Sequence, residues 1–398
     1  MNPGHPELLA LISDEIATHG PMTVARFMDL ALYHPDWGYY MGQGTYDVRP
    51  RIGFAGDFYT SSDVHPVVGW ALAGQLDQID RLLTSPESIT VVEVGAGKGL
   101  LARDILSACE TRFPSLFRRL RYVLIDRSPA HRAMQRETLA PWLDRTAPAA
   151  QIIWHDDLSD LPQNSVTGLV LSNELVDAFP VHRVQMLNGT LVEHRIGLTD
   201  DRLTVETGAL STPALAEYFH RIGVTLADGA IADVNLQAAD WIQTVASVLR
   251  QGFVITIDYG HSAKDLYGSE RRQGTLRSYS KHRVSDNLLE SVGQQDLTSH
   301  VDFTNLAAAG RDAGLTVAGF TNQMSFLMGL GIEAYCATLP DDSPELLSIG
   351  HLLRPHGMGT TFKVLVHSKG MPHATLDGLR LTPFFEDSLD PAPQPTTN

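Results

Sequence analysis

The stretch VVEVGAGKGLLARDIL, residues 91–106, holds a short apolar run, a glycine turn and the opening of a helix in unbroken succession. The run has no polar face, the pattern of a parallel strand buried on both sides. Gly95, Gly97 and Gly99 let the backbone turn tightly, and Ala96 between them adds little bulk. A ligand can therefore approach the free amides of the helix that follows. The spacing is GxGxG, with Leu100 where the dinucleotide fingerprint GxGxxG puts its third glycine, so NAD suits it poorly. Glu93 stands two positions before the first glycine. A local acid beside backbone amides suits a cofactor with an amino group, a carboxylate and no pyrophosphate. S-adenosylmethionine is such a cofactor. A turn serving only strand–helix packing is the plainer alternative.

Outward from this unit the same rhythm repeats. Apolar runs at 89–94, 121–126, 150–154, 168–172 and 252–258 read as buried parallel strands, with helices at 100–112, 129–143 and 236–250 between some of them. Strand–helix alternation of this kind predicts a doubly wound, mostly parallel α/β sheet. The rhythm breaks at 181–207, where alternating residues flank Asn188-Gly189, a strong signal for an antiparallel hairpin. Upstream, apolar spacing predicts helices over 6–19, from Thr23 as N-cap to about Tyr33, and over 66–83. Between them lies a Gly- and aromatic-rich segment, 34–63, with no clean period; long loops of this kind are often functional. Downstream, an irregular stretch at 259–301 precedes a helix at 302–313 and strands at 315–320 and 360–367. The expected organisation is an N-terminal helical region with a substrate-site loop (1–88), an α/β domain (89–384) with insertions at 181–235 and 259–301, and a disordered Pro- and Thr-rich tail (385–398).

Composition narrows the class. The 398 residues are 43% hydrophobic and 19% charged, ordinary values for a globular enzyme. A net charge of −16 repels a phosphate backbone, so no nucleic-acid partner is expected; the one dense basic stretch, Arg112 to Arg121, reads as solvated surface. Such an acidic surface suits a basic protein or peptide better. No apolar run approaches a membrane span. The two cysteines, Cys109 and Cys336, form no CxxC, and the first 20 residues hold no Lys or Arg, so the expectation is a reducing cytoplasmic compartment.

The remaining candidates sit at strand ends. Asp126, in LIDRSP (124–129), can accept both ribose hydroxyls, with Arg127 beside it; the plainer role for Asp126 is a helix cap, and the two are compatible. In WHDDLSDLP (154–162), Asp156 or Asp157 is placed to accept from an adenine amine while Leu158 donates its amide. Asn173, Glu174 and Asp177 follow the fourth strand, where open α/β sheets bind ligands, and one helical turn would put Asn173 and Asp177 on one cleft. Asp57, Asp296, His300 and Asp302 fall in two loops; without a close His pair no metal site is expected.

Six segments together, GPMTVARFMDLALYHPDWGYY, AGDFYTSSDVHPVVG, VVEVGAGKGLLARDIL, SNELVDAFPVHRV, GTLRSYSKHRV and QQDLTSHVDF, resemble the MidA-like methyltransferases, in the family's order and over about residues 14–367. The resemblance implies a seven-stranded class I methyltransferase fold using S-adenosylmethionine. It also implies protein arginine methylation, which mitochondrial members of the family link to assembly of respiratory complex I. A complex I subunit is then one candidate substrate. Carried across, cofactor contacts fall on Glu93, Gly95, Gly97, Gly99 and Asp126. The NExxDA motif falls on Asn173, Glu174, Asp177 and Ala178, and GDF[IFY]TS on Gly56, Asp57, Phe58, Tyr59, Thr60 and Ser61. Asp126 stands where many relatives have Glu. If the acceptor is an always-charged guanidinium, carboxylates must grip its non-reacting nitrogens; Glu174 and Asp177, with Asp57 as a third, are the candidates. A non-catalytic assembly chaperone that keeps the pocket, or a small-molecule methyltransferase, are the competing readings.

Overall fold

The structure, a computed structural model, describes residues 4–41, 51, 53, 56–57, 59–143, 145, 149–280, 283–355, 357–371, 373–383 and 389. Phe58 and all of the expected tail except Leu389 lie outside these residues.

Seven strands make the central sheet: β1 (Ile89–Val94), β2 (Leu120–Ile125), β3 (Gln151–His155), β4 (Val166–Asn173), β5 (Leu249–His261), β6 (Thr316–Asn322) and β7 (Phe362–Lys369), in the order β6-β7-β5-β4-β1-β2-β3. The five from β5 to β3 are parallel; β7 runs antiparallel to β5, and β6 antiparallel to β7. A two-residue strand, Val301–Asp302, pairs with the end of β5. Every residue of β1 is buried, because helices cover both faces. Val67–Leu82 and Leu100–Arg112 bury Leu72, Leu76, Ile105 and Leu106 on one face. Gln237–Val248 and Phe303–Asp312 bury Ile242, Val245 and Leu306 on the other. The strand order reverses beside β1, whose neighbours are β2 and β4, and that is where such sheets leave a crevice. Register aligns the three carboxyl ends there: Val94 lies opposite both Ile125 and Ser172.

The insertion after β4 is antiparallel as expected. His182–Leu187 and Thr190–Thr199 pair across Asn188 and Gly189, whose φ values of 51° and 76° give the doubly left-handed turn that matches strand twist. Arg202–Gly208 and Ile231–Val234 widen this sheet, and Met22–Thr23 joins its edge at Arg195 and Ile196. The helices Pro6–His19 and Val24–Tyr33 therefore share a core with the insertion, Leu8, Ile12, Phe27 and Met28 packing with Val181, Ile196 and Leu297.

Several expectations change. The helix expected over 129–143 ends at Thr138 and restarts as Ala140–Leu143, because Pro141 has no amide to continue the ladder. The irregular stretch 259–301 contains a small sheet in which Arg277–Ser280 pairs with Arg283–Ser285 and with Asp296–Thr298. In the basic stretch, Arg112 lies over the Trp70 ring at 3.7 Å and Arg119 forks onto Asp80 at 2.7 and 2.9 Å, so both charges are used inside the fold.

Candidate functional site

A cavity of about 550 Å³ opens where β1, β2 and β4 end. Of the residues chosen from sequence, Thr60, Glu93, Gly95, Ala96, Gly97, Asp126, Arg127, Asp156, Asp157, Leu158, Asn173 and Glu174 line it; Gly56, Asp57, Gly99 and Asp177 do not. The glycine turn explains its own composition: Gly95, Gly97 and Gly99 have φ of 72°, 52° and 77°. A Cβ on Gly95 would also sit 2.8 Å from Leu175 Cδ1, so the turn and the end of β4 close on each other.

The acids on the cofactor side already have work. Glu93 is 3% exposed and accepts the Tyr122 hydroxyl at 2.5 Å; burial pushes its carboxyl up to about 7 despite that bond. Asp126 accepts from the Ser128 amide and the Gln135 side chain, both at 2.9 Å. Ser128, not Asp126, caps the following helix through the His131 amide. A carboxylate has about four acceptor sites, so Asp126 keeps capacity for a ribose. Gln135 also donates to the Gly97 carbonyl at 3.0 Å and accepts from the Trp154 indole at 3.0 Å, tying the glycine turn to β3; nothing in the sequence marked it. Arg127 points outward and forks onto Asp157, its Nε at 3.1 Å. Burial opposes ionisation of Asp157, but the Ser159 amide and hydroxyl with Arg127 hold it at about 2. The exposed Asp156 pairs with Arg132. Both adenine candidates thus carry a guanidinium partner, and both remain on the wall.

The end of β4 departs from expectation. Residues 173–177 form no α-helical turn. Glu174 takes a left-handed φ of 53°, and the Asp258 carboxylate, fully buried on β5, accepts the amides of Leu175, Val176 and Asp177 at 2.9–3.3 Å. Those amides are thereby withdrawn from a helix, and only a 3₁₀ turn, Val176–Ala178, forms. Asn173 and Asp177 consequently do not share one face: Asp177 leaves the wall and turns to the Tyr259 hydroxyl. Glu174 stays. Its Oε1 accepts from the Ser61 amide at 3.2 Å and from Asn173 Nδ2 at 3.1 Å, and burial, with the charge of Asp177, pushes its carboxyl up to about 8. The Thr60–Asp63 segment is fixed at the site by Thr60 and Asp63, which cap the short helix Ser61–Val64, and by the ion pair from Lys98 of the glycine turn to Asp63.

Asp57 is corrected as a third cavity carboxylate: it is buried behind the wall and accepts the Tyr39 hydroxyl at 3.0 Å. The loop reading of the second acidic segment also changes. Asp302 caps the helix Phe303–Asp312 through the Asn305 amide, and His300 stacks on His261 with ring centres 5.3 Å apart. Asp296 lies on a strand and accepts the Tyr40 hydroxyl at 2.7 Å; burial pushes it up to about 7. Tyr33 and Tyr40, which line the cavity, went unselected, although their aromatic-rich neighbourhood was the available signal. Among the described residues no three His, Cys, Asp or Glu side chains are grouped to hold a metal, and no helix is long and apolar enough to cross a membrane.

Residues 71–321 match a family model described as S-adenosyl-L-methionine-dependent methyltransferase. Similar curated proteins include the Drosophila melanogaster protein arginine methyltransferase NDUFAF7 homolog, mitochondrial, 28% identical over 94% of this chain and 87% of its own length. The human protein arginine methyltransferase NDUFAF7, mitochondrial, is 28% identical over 95% and 86%. A Burkholderia thailandensis protein crystallised with S-adenosyl-homocysteine superposes with a TM-score of 0.83 at 29% identity, covering 94% of both chains. The cytoplasmic expectation is overturned by these relatives, since the fly and human proteins are both mitochondrial by name. Cysteine usage cannot separate two reducing compartments.

Proposed function

This chain belongs to the family of S-adenosyl-L-methionine-dependent methyltransferases, and from that premise we propose that it methylates the guanidinium of an arginine in a protein substrate. One observation carries the choice of acceptor. Glu174, on the cavity wall at the end of β4, is pushed upward by burial and by the charge of Asp177, and it has no ion-pair partner among the described residues. Burying an acid without a cation is costly, and a guanidinium, with five donors and a permanent charge, offsets that cost. The names of the fly and human relatives support the same acceptor. The narrower reading, a subunit of respiratory complex I as substrate, rests on the family resemblance alone.

The wall suits the donor. Amides of the Gly95–Gly97 turn and the Glu93 carboxyl would hold the methionine end, Asp126 the ribose hydroxyls, and Leu158 with Asp156 or Asp157 the adenine. When bound, the cofactor supplies an electrophilic methyl; the protein's task is in-line alignment, which contributes about 7–11 kcal/mol in well-oriented reactions. Glu174 is the carboxylate on the wall that faces the acceptor. The test is incubation of the purified protein with tritiated S-adenosylmethionine and mitochondrial extract, followed by acid hydrolysis. Label in methylarginines is expected. Label confined to other residues or to small molecules would remove the arginine reading, and cofactor binding with no label anywhere would favour a non-catalytic assembly factor.

A further inference from the structure

Tyr40 and Asp296 form a pair that gripping a guanidinium leaves unused. The Tyr40 ring is on the cavity wall, and its hydroxyl donates to Asp296 Oδ1 at 2.7 Å. Asp296 is 2% exposed and off the wall, so Tyr40 stands between it and the cavity. The pair is held firmly. Tyr33 stacks on Tyr40 with centroids 5.7 Å apart, and its own hydroxyl donates at 2.8 Å to the carbonyl of Ala178, in the turn that follows Glu174. His131, beside Asp126, meets Tyr40 edge-on at 6.3 Å.

Methylating a guanidinium leaves a proton to dispose of. The nitrogen–carbon bond forms as the carbon–sulfur bond breaks, sulfur keeps the electron pair, and the newly four-bonded nitrogen must shed one N–H proton. We propose that Tyr40 and Asp296 take that proton as a relay: the Tyr40 oxygen receives it while passing its own hydrogen to Asp296 Oδ1. Tyr40 is thereby restored, and Asp296 carries the proton until product leaves. Tyr40 is the group that touches the acceptor; Asp296 acts through it as a positioning residue and proton store. Tyr40 cannot ionise alone, since burial raises its hydroxyl well above 10, so a direct tyrosinate route is closed. Glu174 is a poorer sink, because Ser61 and Asn173 occupy Oε1 and it already holds a proton up to about 8. Asp296, at about 7, is ionised in a large fraction at neutral pH. Among the described residues, Tyr33, Tyr39, Tyr40 and Tyr279 face it with Asp57 and Asp177, and the charges of Asp177 and Asp57 raise its proton affinity.

The inference rests on the arginine reading only for the identity of the nitrogen. Tritiated-methyl incorporation into mitochondrial extract at saturating S-adenosylmethionine, from pH 5.5 to 9, tests it with Tyr40→Phe, Asp296→Asn and Asp296→Glu. Removing a proton path is expected to slow turnover by roughly 100-fold in the first two variants and to abolish the rise in rate through about pH 7, while Asp296→Glu recovers part of both. S-adenosylhomocysteine affinity by calorimetry should stay within about threefold in Tyr40→Phe, which loses only one oxygen. Wild-type turnover in Tyr40→Phe, or an Asp296→Asn profile that keeps its limb near 7, overturns the relay. A drop in nucleoside affinity matching the rate loss overturns it as well. The methylated residue is read separately: label on another nitrogen with both variants slow removes arginine and keeps the relay.

Discussion

Replacing Glu174 with Gln isolates charge from shape. The Gln side-chain oxygen can still accept the Ser61 amide at 3.2 Å and the Asn173 amide at 3.1 Å, so the 60–63 segment should remain docked. What disappears is the capacity to become an anion. In the free site the Glu174 carboxyl is pushed up to about 8, so at pH 7 ionising it for a cationic acceptor costs roughly 1.4 kcal/mol. Above pH 8 that cost vanishes. A charged contact contributes about 1.5–3 kcal/mol, which converts to a loss of about 10- to 200-fold in kcat/KM at pH 9, shrinking by up to about tenfold at pH 7. The sign follows from the carboxyl being neutral below its raised value: wild-type kcat/KM climbs as pH rises through 8, and the variant lacks that limb. Stability runs the other way. A carboxyl whose folded value is raised stabilises the fold at low pH and loses that contribution as pH rises toward 8. Without cofactor, Glu174→Gln should therefore melt above wild type at pH 9, by roughly 2–5 °C, and close to it below pH 4.5. Initial rates of methyl incorporation, thermal melts and calorimetry with S-adenosylhomocysteine read all three quantities; nucleoside affinity should change by less than about threefold. Full activity of the variant at pH 9, or wild-type kcat/KM falling between pH 6 and 8, would refute the reasoning.

Asp126→Asn should weaken S-adenosylhomocysteine binding by roughly tenfold in a calorimetric titration, because the charge facing the ribose is lost while an oxygen remains for Ser128. An unchanged affinity would move the ribose contact to a neighbouring backbone group. At Asp258, burial with Asp177 and Glu174 pushes the carboxyl well above its ordinary range, while Oδ2 accepts three amides and Oδ1 accepts the Tyr259 amide at 2.9 Å. Asp258→Asn, whose oxygen can still serve Leu175, Val176 and Asp177 but whose nitrogen strands the Tyr259 amide, should cost about 1–3 kcal/mol in a denaturant titration, whereas Asp258→Ala, which strands four amides, should cost more. An Asn variant as unstable as the Ala variant would refute the role of the remaining oxygen in holding the end of β4.

Much of this protein was legible in its sequence, where neighbours along the chain set the structure. The run Ile89–Val94 had to be a buried strand, the three glycines had to turn, Thr23 capped its helix, and Asn188-Gly189 closed its hairpin, since each depends on residues a few positions away. The same local logic put Glu93, Asp126, Asn173 and Glu174 at strand ends, and parallel register then brings those ends together. It failed where the decisive partner lies far along the chain. Asp258 sits 81 residues beyond Asp177, yet its carboxylate takes the amides that an α-helical turn would have used, and so turns Asp177 away from the cavity. Asp57 reads like a cavity carboxylate until its burial and its bond from the Tyr39 hydroxyl are seen. Tyr40 and Asp296 are 256 residues apart and meet only because Met22–Thr23 joins the edge of the inserted sheet, which anchors the N-terminal helices beside the strand Asp296–Thr298. Periodicity and turn chemistry report free energies settled within a few residues; which buried acids face the cavity, and which retain their protons, is decided by desolvation and by partners that only the packed chain brings near.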